Sequence, residues 1–115
     1  MFTVYIIVTV LTAAANFFSA TLDFIRYKQV LINMAKAGVP DSWITVLGTL
    51  KAAGALGLLV GIGVPLIGTA AAVGLILFFV GAIITHLRAR DYSFGLAVVF
   101  LLLAVAALVL RVATL

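Results

Sequence analysis

The chain has 115 residues, 67% of them hydrophobic and 9% charged, with mean hydropathy +1.44 and a formal net charge of +4. A soluble domain carries about 25% charged residues, so seven basic and three acidic side chains cannot clothe this much aliphatic carbon in water. Most of the surface must therefore face lipid. The absence of cysteine excludes a disulfide, a thiol nucleophile, a CxxC redox pair and a cysteine-held iron–sulfur cluster. One histidine, three aspartates and no glutamate argue against a metal site built from this chain alone, and no cofactor is expected.

The first apolar run, residues 2–22, begins MFTVYIIVTVL with no basic residue ahead of it. A cleaved signal peptide needs a positive n-region, so the run reads as a retained membrane span. Within it Thr9, Thr12, Asn16, Ser19 and Asp23 recur at steps of three and four. That spacing places all five on one helix face. Threonine and serine can satisfy themselves on their own helix, but lipid offers nothing to an asparagine or a carboxylate, so this face points into a bundle.

Residues 23–42, DFIRYKQVLINMAKAGVPDS, are less apolar. As a helix they put Phe24, Tyr27, Leu31 and Met34 on one face and Arg26, Gln29, Asn33 and Lys36 on another. This is the pattern of an amphipathic helix lying in the membrane interface. Gly38 and Pro40 stop it, and Asp41 or Ser42 is placed to cap the next span.

Three further spans follow, at about 43–62, 65–85 and 94–112, each near the ~20 residues needed to cross the hydrocarbon. Gly63-Val64-Pro65 separates the second from the third, with Pro65 in a first-turn position that loses no hydrogen bond. Gly54, Gly57, Gly61, Gly68, Ala71, Ala72, Gly74 and Gly81 offer small surfaces for close helix contact. The Gly57/Gly61 pair forms a GxxxG that suits packing inside the bundle better than a dimer, although a homo-oligomer stays open. Trp43 and Tyr92 fall where interfacial aromatics are expected.

Short loops make these spans antiparallel neighbours. The expected fold is all-α: a single-domain (1–115), up-down-up-down four-helix membrane bundle with an amphipathic helix between spans one and two. Arg26, Lys28, Lys36, Arg88 and Arg90 lie on one side, against Arg111 on the other. The positive-inside rule then puts both termini outside a bacterial cytoplasmic membrane. Basic residues that flank apolar runs in this way serve topology and lipid head groups rather than nucleic acid.

Lys51 sits inside the second span, roughly 12 Å below Trp43, at the depth where Asn16 lies roughly 10 Å below Asp23. An ammonium in lipid costs at least about 2.5–3.5 kcal/mol, but a lysine stem reaches several ångströms toward the interface. Lys51 is therefore expected to meet Asp23, with Asn16 beneath and His86 near the same boundary. These four form the candidate binding cluster. Alternatives are a structural network, or a lysine that merely reaches the interface.

GVP at 38–40, LGTLKAAGALGLLVG at 47–61, Pro65 and AAVGLILFFVGAIITHLRARD at 71–91 together resemble the DoxX-like family of small bacterial membrane proteins. The resemblance spans most of the chain, and GAIITHLR, with His86 closing the third span, is its most specific part. It implies a four-helix membrane bundle. It also implies a charged residue in the second span, here Lys51, and an association with quinone-linked or oxidative-stress assemblies. One histidine cannot supply paired axial haem ligands, which argues against an autonomous redox enzyme. The expected function is non-enzymatic: an accessory or scaffold subunit, or a binder of membrane lipid or a quinone. The alternatives are a transporter of small-multidrug-exporter size and a small membrane enzyme using Lys51 or His86. Such exporters need a buried carboxylate in the first span, whereas here that depth holds Asn16 and Asp23 lies close to the boundary.

Overall fold

A computed structural model describes residues 1–91 and 94–115, and all regular structure among them is helical. The helices are α1 (Phe2–Phe24), α2 (Lys28–Lys36), α3 (Ile44–Val60), α4 (Pro65–Arg88) and α5 (Gly95–Ala113). A 3₁₀ turn, Asp41–Trp43, leads into α3. Four helical segments, namely α1, α3 with its leading turn, α4 and α5, are long and apolar enough to span a membrane. The first and third run farther than the apolar pattern indicates, to Phe24 and Arg88, because polar residues can extend a helix into the interface.

Helix α1 packs on α3 and α5, and α4 packs on the same two, so the four close a ring. Small residues set the distances. A Cβ added to Gly61 would lie 2.1 Å from the Cα of Gly68; one on Gly57 would lie 2.7 Å from Ala71 Cβ, and one on Gly54 would lie 2.5 Å from Leu75. Residue numbers therefore fall along α4 as they rise along α3. The Gly57/Gly61 pair is consumed inside the chain. On the other side of α3, a Cβ on Gly48 would lie 3.0 Å from Asp23 Cβ. That glycine brings α3 against α1 at the level of the carboxylate.

The ends of α1, α2 and α4 share one turn. The N–H two residues past the cap residue returns to a carbonyl in the last turn: Tyr27 to Leu22, Val39 to Met34, and Asp91 to His86. Each turn is made by one left-handed residue, Arg26 (φ 54°), Gly38 (φ 75°) or Arg90 (φ 55°). Glycine is usual there, and two of the three positions are arginine.

Helix α2 is shorter than the amphipathic pattern suggests. Phe24 belongs to α1 and the turn at Arg26 separates it from Tyr27, the cap residue of α2, so the four-residue apolar face is not continuous. Met34 is the buried member of α2. Neither Asp41 nor Ser42 makes a capping hydrogen bond to α3. Trp43 is half exposed, and Tyr92 lies outside the described residues.

Candidate functional site

The polar stripe of α1 faces inward. Thr9, Thr12, Asn16 and Asp23 are buried, and Ser19 is partly so. From α3, Lys51 reaches this stripe at its lower end. Its Nζ donates to Asp23 Oδ2 and to Ser19 Oγ, each at 2.9 Å. The side chains of Lys51 and Asp23 are 13% and 2% exposed, so the ion pair is shielded on both sides. The ammonium also stands 5.7 Å from the centre of the Phe78 ring, within cation–π range.

Asn16 does not join this pair. Its Nδ2 donates to the Thr12 carbonyl on its own helix, 2.9 Å away, and its Oδ1 is buried without a partner. It is buried one helical turn from Ser19, and no hydrogen bond joins it to Lys51 or Asp23. Two helical turns separate Asn16 from Asp23, and Ser19, one turn nearer, occupies the contact. Ser19 was legible as a member of the stripe, but the asparagine drew the weight because it is the harder group to satisfy.

His86 lies at the same end of the bundle, beside the cavity that Asp23 and Lys51 also line. It bonds neither Lys51 nor Asp23; its Nδ1 lies 2.8 Å from Asp91 Oδ2. The turn ending α4 causes this, since the Asp91 N–H on the His86 carbonyl folds the aspartate back beside the ring. With Nδ1 held by a carboxylate, Nε2 is the nitrogen left to face outward.

The Lys51–Asp23 pair and His86 border one cavity of about 400 Å³. Ser19, Asp23, Lys51 and His86 contribute polar groups; Phe78, Phe79 and Phe100 form aromatic wall; Asn33 and Met34 of α2 form one side. Asn16 is not part of the lining. The volume is at the lower end of the roughly 300–1,000 Å³ usual for small-molecule sites, and a mostly apolar wall with a few converging polar groups is their usual make-up. Among the described residues, no group of three or more potential ligands is placed to hold a metal ion.

A third cation lies at the other end of the bundle. Arg111, the basic side chain of the opposite side, falls within α5 and is 4% exposed rather than free at the interface. Its guanidinium carbon stands 4.4 Å from the Tyr5 ring centre, and Nη1 donates to the Gly61 carbonyl at 3.2 Å. Nε has no partner. Two signals pointed here. Arg111 is flanked by apolar residues on both sides, and the α1 stripe extended one step back from Thr9 reaches Tyr5, itself 2% exposed.

Four spans, an ion-paired lysine within one of them and a polar-edged apolar cavity define a multi-pass helical membrane protein. The chain matches the DoxX-like family over residues 7–109 and belongs to it. Comparison with curated proteins and with solved structures gave no match.

Proposed function

We propose that this protein is a non-catalytic bacterial inner-membrane component that holds a small amphiphile, a lipid or a quinone, in the cavity beside Lys51. The supporting observation is the union of the Lys51–Asp23 pair, His86 and a phenylalanine wall around one space of about 400 Å³. An apolar tail gains from the aromatic wall, and the polar edge offers a donor from Lys51 and a ring nitrogen from His86. In this reading the four spans alternate up and down, and α2 lies in the cytoplasmic interface over the cavity. Arg26, Lys28, Lys36, Arg88 and Arg90 hold that side inward. The exporter alternative needs a carboxylate free to exchange protons; Asp23 is occupied by Lys51.

Native mass spectrometry of the detergent-extracted protein tests this. Wild type should carry a bound amphiphile, and Lys51→Ala should lose it. Ala82→Phe, at a cavity-lining position that is not part of the ion pair, should lose it too. Unchanged ligand in a folded Ala82→Phe variant overturns the proposal.

A further inference from the structure

Resting on the reading that the cavity holds an amphiphile, we infer that Asp23 selects the head group: the site takes an uncharged amphiphile with an acceptor oxygen, and rejects anionic ones. A lone lysine at an apolar cavity would recruit carboxylates, sulfates and phosphates. This lysine is not alone. Its ammonium is matched by a carboxylate at 2.9 Å whose side chain is 2% exposed, so the pair meets a ligand as a dipole. An ammonium has three donors. Two are spent on Asp23 and Ser19, which leaves one N–H for a neutral oxygen.

The second polar group acts in the same direction. His86 is held by the carboxylate of Asp91. Beside that carboxylate the ring, protonated or neutral, adds no net positive charge to the cavity edge. Neither state attracts an anion. The exposed arginines Arg26, Arg88 and Arg90 do not line the cavity. They face the head-group layer, and Arg26 stands 3.5 Å from Asp41.

An acylglycerol head and a quinone ring both present neutral acceptor oxygens, so both serve as probes. Native mass spectrometry titrations of the whole protein would compare monoolein, a decyl-tailed benzoquinone and oleyl sulfate, which is permanently anionic. At least one neutral probe should bind about tenfold or more tighter than oleyl sulfate, since a charge without a partner is excluded; which of the two binds identifies the source of the chemistry. In Asp23→Asn, which leaves the ammonium uncompensated, the preference should move toward oleyl sulfate by about tenfold or more. Lys51→Gln should move it the other way. Tighter binding of oleyl sulfate to wild type overturns the head-group assignment while leaving the cavity reading intact. Failure of all three probes overturns the cavity reading itself. The wild-type ratio decides the class even if a variant does not fold, and an unmoved ratio in a folded Asp23→Asn overturns the role of Asp23.

Discussion

Lys51 is tolerated within its span because Asp23 and Ser19 meet it at hydrogen-bonding distance. Such a pair is worth little compared with a well-packed apolar substitute, but breaking it is costly, because one charge is then left buried alone. Lys51→Met and Asp23→Leu should therefore each destabilise by about 3–5 kcal/mol. The double variant should recover most of that loss. Denaturation of the detergent-solubilised protein measures the cycle; additive losses would show that the pair is not coupled. At the other end of the bundle, Arg111 rests on the Tyr5 ring. Tyr5→Leu keeps an apolar side chain but removes the π-face, and should cost about 0.5–2 kcal/mol from that contact, read in the same denaturation assay.

The elements owe their placement to residues without bulk. Gly61 and Gly68 let α3 and α4 touch backbone to backbone just before and after their connection. Gly61→Ala forces a Cβ to within 2.1 Å of a backbone atom that cannot swing aside. It should cost more than the 1–3 kcal/mol typical of overpacking and also disturb the carbonyl that accepts from Arg111. Gly74 is the control. Nothing lies within 4 Å of an added Cβ, so Gly74→Ala should be neutral or stabilise by up to about 1 kcal/mol through helix propensity. The helix ends give an opposite expectation. Arg90 holds a left-handed conformation that costs an L-residue roughly 1–2 kcal/mol. Arg90→Gly should raise the unfolding temperature in detergent while removing one charge from the basic side; a lowered temperature would mean that the arginine side chain contributes more than its backbone costs.

At the scale of the whole molecule, the ring of four helices leaves the polar pairs at one end and Arg111 at the other. Burial of Arg111 sets it apart from the exposed flanking charges, so the basic asymmetry on which the proposed orientation rests is sharper. The orientation proposed here is directly testable because the chain has no cysteine to interfere. A single cysteine at Thr114 should react with a membrane-impermeant maleimide on intact cells, after outer-membrane permeabilisation where one exists. A single cysteine at Arg90 should react only once the cytoplasmic membrane is opened. The reverse pattern would invert the topology and place the cavity on the outer side.

The four apolar runs, the break at Gly63-Val64-Pro65 and the inward polar stripe of α1 were legible in the sequence, because lipid makes length, hydropathy and helical period into hard constraints. The meeting of Lys51 with Asp23 followed from depth alone, since both measure from one boundary. What only the tertiary structure decided was partner choice among groups at nearly equal depth. Ser19 rather than Asn16 completes the lysine's contacts because Gly48 brings α3 against α1 at Asp23. His86 turns to Asp91 because a left-handed residue folds the chain back on its own helix end. Arg111 is buried on Tyr5 because two helices cross there. Depth can be counted along a single chain, but the azimuth at which two helices meet depends on side chains from both.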